Sequence, residues 1–134
     1  MPLTPAGLFA ARRLHDDGIR LNFTLGFSAR QNWLIATVAK PTWVNVFLGR
    51  INAFLSDNKL GDGVNAGEKA ALASQRQLRK LKPGLDVKQI AASMRSGQQC
   101  EDLLGLDTFT IPTAAAKEFV KKNPAVASLK DRTA

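Results

Sequence analysis

The chain has 134 residues, enough for one domain or a large piece of one, and its 45% hydrophobic and 22% charged content fits an ordinary globular protein. No apolar run approaches the ~20 residues needed to span a bilayer, and the opening MPLTPAGLFAARRLHDD lacks the basic segment and long apolar core of a signal peptide. A single cysteine, Cys100, excludes an internal disulfide and points to a reducing compartment, the cytoplasm by default. The net charge of +8 asks for anionic partners. Nucleic acid is disfavoured, because the basic residues are scattered or gathered near helix ends and no aromatics alternate with them as a stacking platform requires. Small phosphorylated anions need fewer cations.

In chain order, Thr4-Pro5 reads as an N-cap and first helical residue, and Leu8, Ala11 and Leu14 recur at helical spacing until Gly18. Residues 19–27, IRLNFTLGF, alternate apolar and polar and predict a strand with Asn22 and Thr24 on its polar side. Ser28 can cap a helix over 29–39. Residues 42–48, TWVNVFL, predict a second strand with Asn45 in its middle, closed by Gly49-Arg50, and 51–54 a short helical turn. The Asp-, Asn- and Gly-rich stretch 56–67 reads as a loop. A helix is expected over 68–81, a strand over 87–93, a helix over 96–104, a short strand over 108–111 and a helix over 114–122, followed by a polar tail. A helix followed by four strand–helix pairs implies an α/β fold with a parallel sheet, either part of a barrel or a small doubly-wound sheet. No GxGxxG or GxxxxGK[ST] follows a strand, so nucleotide binding has no support.

Parallel α/β proteins carry their chemistry at the C-terminal ends of the strands. Those ends offer Asn22, Thr24 and Ser28, then Phe47 to Arg50, then Ser93 to Arg95, then Pro112-Thr113. Arg50 and Arg95 therefore fall on one rim, and guanidinium forks with a serine hydroxyl or a helix-start amide suit phosphate oxygens. The alternative is that both arginines are solvated loop residues. No Asp or Glu lies inside the four expected strands, and no Cys/His cluster or EF-hand spacing offers a metal site. His15 lies on the first helix, remote from the strand ends. Cys100 sits beside Glu101 and Asp102, which oppose a thiolate. Lysines 40, 59, 69, 80, 82 and 88 are loop or helix residues or begin a strand, and none reads as a desolvated Schiff-base amine. The residues thus hold an anion site without a catalytic engine.

Several segments together carry a family resemblance. Pro2 to Leu8, Gly18-Ile19 and Asn22-Phe23-Thr24-Leu25-Gly26-Phe27-Ser28 resemble the fourth helix and fifth strand of transaldolases and fructose-6-phosphate aldolases. Val46-Phe47-Leu48-Gly49-Arg50-Ile51 is similar to the sixth-strand motif, Ala91-Ala92-Ser93-Met94-Arg95 to the seventh, and Thr108-Phe109-Thr110-Ile111-Pro112 to the eighth strand. The likeness runs over residues 2–122, in order. It implies strands five to eight of a TIM-type (β/α)8 barrel, one partial-barrel domain over residues 1–134. It further implies that Arg50, Ser93 and Arg95 hold the phosphate of a sugar phosphate, that Asn22 and Thr24 face the reacting carbons with Thr24 helping to hold a catalytic water, and that Phe47 walls the pocket. Asn45 stands where transaldolases usually carry serine, and Met94 follows Ser93 where the usual residue is phenylalanine.

The family pattern places a Schiff-base lysine, one apolar residue and a proline before a segment like 3–8. Met1 takes the apolar position, so the lysine is expected immediately before it, and the acidic and amide groups of the first three family strands are absent as well. Three readings follow: a cofactor-free transaldolase-type enzyme whose sequence continues upstream, a non-catalytic sugar-phosphate-binding half-barrel paired with itself or another half, and a basic nucleic-acid-binding domain. The first is preferred. Its reaction is transfer of a dihydroxyacetone unit between sugar phosphates of the pentose phosphate pathway, with aldol cleavage as the neighbouring alternative.

Overall fold

A computed structural model describes residues 1–122 and 130–133. Helix α1 (Pro5–Asp16) begins as its sequence requires: the Thr4 hydroxyl accepts the Gly7 N–H at 3.0 Å and Pro5 takes the first helical position. It ends on a left-handed Gly18 whose N–H donates to the His15 carbonyl while the Ile19 N–H reaches back to Leu14, both at 2.9 Å. This paired closure spends Ile19 on the helix end. The first strand is consequently shorter than its alternation suggests: β1 is Asn22–Phe23 alone. Leu21 and Phe23 are buried, whereas Ile19, Leu25 and Phe27 remain exposed.

The remaining elements are α2 (Ala29–Ala39), β2 (Trp43–Phe47), α3 (Leu48–Asp57), α4 (Ala66–Arg79), β3 (Lys88–Ala92), α5 (Gln98–Asp102), β4 (Thr108–Phe109) and α6 (Thr113–Lys122). The expected short turn at 51–54 is a full helix that starts directly on Leu48. Leu48 and Gly49 are buried there, and Gly67 of α4 packs so closely on the Leu48 backbone that it has no room for a side chain. The third strand stops before Ser93, because that residue is left-handed with φ +62°. Part of the expected polar tail is packed. The Arg132 N–H donates to the Leu104 carbonyl at 2.7 Å, Thr133 is buried, and Arg79 binds the carbonyls of Gly105 at 2.9 Å and Thr133 at 3.2 Å. The rest of that tail, 123–129 and 134, lies outside the described residues.

All four strands are parallel and lie in the order β1-β2-β3-β4. Sequential order has no reversal point of the kind that makes a doubly-wound sheet, and it is the winding of successive β/α units in a TIM-type barrel. The two faces differ sharply. Phe23, Val44, Val46 and Ala91 are fully buried under the helices in two adjoining apolar clusters. On the other face Asn22, Trp43, Lys88 and Thr108, with Ile90 and Asp107, line a hollow of about 640 Å³. Open parallel sheets bury both faces, so this open hollow on one face is consistent with part of a barrel wall.

Met1 extends this sheet by one pairing. Its amino group donates to the Asn22 carbonyl at 2.7 Å, and its own carbonyl accepts the Thr24 N–H at 3.1 Å. These are the two bonds of a parallel bridge opposite Phe23. Beneath the buried face, α2 and α4 meet the sheet through a polar cluster. Asn32 Nδ2 donates to Ser74 Oγ at 2.9 Å, and the Ser74 hydroxyl donates to Gln89 Oε1 at 2.5 Å. Among the described residues no helix is long and apolar enough to cross a membrane.

Candidate functional site

The strand ends converge through Gly49. Its N–H donates to the Ser93 carbonyl at 3.2 Å, and a Cβ built on it would stand 2.7 Å from Nε of Arg95. The Arg95 side chain therefore lies across Gly49, next in sequence to Arg50, which sits in the first turn of α3. Left-handed Ser93 turns the chain between β3 and Arg95, a backbone state that costs a non-glycine residue ~1–2 kcal/mol. Both arginines are exposed, and among the described residues neither forms an ion pair. Arg50, Phe27, Ile51, Phe54 and Leu55 line a hollow of about 500 Å³. The Phe47 ring is tilted 48° against that of Phe27, with centroids 6.4 Å apart.

Asn22 and Asn45 form a pair on the open face. Asn45 Nδ2 donates to Asn22 Oδ1 and to the Phe23 carbonyl, the latter at 2.9 Å, which orients the buried Asn45 amide and ties β2 to β1. Thr24 follows directly after β1 and is half-buried, its N–H held by Met1. The structure thus gathers Ser93, Arg95 and the Gly49-Arg50 turn at one point, and Asn22, Asn45 and Thr24 at a second place on the same sheet.

Other expected groups stand apart. Ser28 caps α2: its Oγ accepts the Gln31 N–H at 3.3 Å, while Gln31 Oε1 accepts the Phe27 N–H at 2.7 Å. His15 lies beside Lys40, Pro41 and Thr42, ahead of β2 and away from the rim. Burial pushes the Cys100 thiol above its ordinary value, with Glu118 and Glu101 adding to the effect. Lys88 opens β3 on the uncovered face. The described residues hold no group of three or more His, Cys, Asp or Glu that could bind a metal ion.

Three residues behind the rim escaped the sequence reading. Gln99 Oε1 accepts the N–H groups of Arg95 at 2.6 Å and Ser96 at 3.2 Å, and Gln99 Nε2 donates to buried Glu68. Asn52 Nδ2 donates to the same carboxylate at 3.0 Å. The Ser96-Gly97-Gln98-Gln99 spacing is that of a capping box and could have revealed the bond from the Ser96 N–H. Nothing local in the sequence signals the other three.

The transaldolase/fructose-6-phosphate aldolase family model matches residues 1–133. A probable transaldolase of Thermus thermophilus is 38% identical over 123 residues, covering 90% of this chain and 50% of that protein. Probable transaldolases of Parvibaculum lavamentivorans and Rhizobium meliloti are 33% identical over 119 residues and 34% over 125 residues, covering 87% and 90% of this chain and 50% and 51% of those proteins. The chain spans about half the length of these curated relatives. With the family motifs in register and the parallel strands in family order, the chain belongs to the transaldolase/fructose-6-phosphate aldolase family.

Proposed function

We propose that this chain carries the phosphate-binding part of a transaldolase-type enzyme of sugar-phosphate metabolism in the cytoplasm. Arg50 and Arg95 present guanidinium forks to the phosphate oxygens, and the Ser93 hydroxyl donates a further bond. The carrying observation is the Gly49 turn, which lays Arg95 beside the Arg50 position with no carboxylate paired to either among the described residues. Phosphate charge thus meets cations that no carboxylate among the described residues neutralises. Asn22 and Thr24 face the carbons of the sugar, with Thr24 holding water near them, and Phe47 forms an apolar wall.

The dihydroxyacetone transfer of this reading needs an amine that attacks a ketose carbonyl to form an imine, and a carboxylate to move protons. Both are assigned to a segment preceding Met1 or to a partner half. The parallel bridge of Met1 on the outer edge of β1 supports a further strand there. A second copy of the chain is the other partner able to cover the open strand edges.

The test is intact mass of the protein from its native source, with fructose 6-phosphate and borohydride. A trapped three-carbon adduct on a polypeptide longer than 134 residues, or on an associated half, is expected. An adduct on the isolated chain of this sequence would overturn the assignment of the amine.

A further inference from the structure

Resting on that phosphate-site reading, we infer that Glu68 is a positioning residue that fixes the separation of the two arginine-bearing segments, acting through Asn52 and Gln99. Glu68 lies in the first turn of α4, is 4% exposed and has no cation partner among the described residues. A carboxylate in such a place is tolerated only when hydrogen bonds replace its water. It receives two, from Asn52 Nδ2 at 3.0 Å and from Gln99 Nε2.

The polarity of these bonds runs outward from the carboxylate. A carboxylate only accepts, so each amide must turn its NH2 group toward Glu68 and its oxygen away. The Asn52 oxygen then accepts the Gly67 N–H at 2.7 Å, binding α3 to the start of α4. The Gln99 oxygen accepts the N–H groups of Arg95 and Ser96. Asn52 stands two residues after Arg50 on α3, and Gln99 holds the backbone of Arg95 itself. One buried carboxylate therefore joins the two cationic segments and dictates which way both amides face. The same bonds occupy the Arg95 and Ser96 amides, and Gly97 donates to Glu118 Oε2 at 2.8 Å. Anion recognition on this loop is left to the guanidinium and the Ser93 hydroxyl.

Glu68→Gln preserves shape and reverses this logic. A carboxamide has one oxygen and cannot accept from both neighbours without turning its NH2 group on one of them. Where that NH2 group faces Gln99, Gln99 rotates and presents its own NH2 group to the Arg95 and Ser96 amides; where it faces Asn52, Asn52 turns its NH2 group on the Gly67 N–H. Adding Gln99→Glu restores the polarity, because the new amide at 68 donates to the new carboxylate at 99, which accepts from the loop.

The experiment uses the full chain and reads two quantities: the Kd for inorganic phosphate by calorimetry, and hydrogen exchange of the Arg95 and Ser96 amides by NMR. Wild type and Arg95→Gln are controls for the phosphate site. Glu68→Gln is expected to bind phosphate roughly tenfold more weakly, the order of effect of losing one charge-assisted hydrogen bond, and to exchange both amides faster. The double variant is expected to recover slow exchange and a Kd within about threefold of wild type. If Glu68→Gln fails to fold, Gln99→Met is read in its place. Wild-type affinity in these variants, alongside weakened Arg95→Gln, would overturn the positioning role and leave the phosphate site standing. Phosphate affinity that Arg95→Gln does not change, or no binding by wild type, would overturn the phosphate site and the positioning role with it.

Discussion

The N–H of Gly49 donates to the carbonyl oxygen of Ser93 at 3.2 Å, locking the first turn of α3 to the end of β3. A side chain at position 49 would run into that carbonyl and into Arg95. Gly49→Ala is therefore expected to lower stability by ~1–3 kcal/mol, the usual cost of overpacking, and to weaken phosphate binding as well. Chemical denaturation and a phosphate titration check the two effects. A variant that retains both stability and affinity would show that the two strand ends are not coupled through this glycine.

Ser93 separates stability from function in the opposite direction. Its φ of +62° is strained for serine and free of strain for glycine. Ser93→Gly should hold or raise the unfolding free energy by up to about 1 kcal/mol. Loss of the hydroxyl should weaken phosphate binding at the same time. Urea denaturation beside a phosphate titration reads both, and a clear loss of stability would place the hydroxyl in a structural role.

Asn45 spends its NH2 group on the Phe23 carbonyl and Asn22. Asn45→Ser shortens the side chain and breaks both bonds, for an expected loss of ~1–3 kcal/mol from the groups left unpaired. The midpoint of a urea curve measures this. An unchanged midpoint would mean that serine rebuilds the link between β1 and β2.

Most of the element order was legible because each signal was local: Thr4-Pro5 for the start of α1, Gly18 for its end, and the Gly49-Arg50 and Ser93-Met94-Arg95 motifs for the rim. Errors arose where a competing local bond or a distant contact decided. Ile19 alternates like a strand residue, yet its N–H closes α1. Leu48 reads as the last strand residue, yet packing against Gly67 makes it the first of a helix. Glu68, Asn52 and Gln99 come from three separate helices, so only the fold brings them together.

Burial raises the Cys100 thiol, and Glu118 and Glu101 push in the same direction. The folded state then prefers the neutral thiol. Its contribution to stability is complete below the pKa of the unfolded thiol, roughly 8.5, and is lost as pH rises from there through the higher folded value. Stability should accordingly fall more steeply across that range in wild type than in Cys100→Ala. Denaturation midpoints compared across alkaline pH decide this, and parallel curves would contradict it.

The most direct measurement of the central claim is calorimetric titration of the chain with fructose 6-phosphate and with fructose, in wild type and in Arg50→Gln/Arg95→Gln. Phosphate held by two guanidinium groups predicts at least about tenfold preference for the phosphorylated sugar, collapsing in the double variant. Equal affinity for both sugars, or a preference that survives loss of both arginines, would contradict the phosphate site.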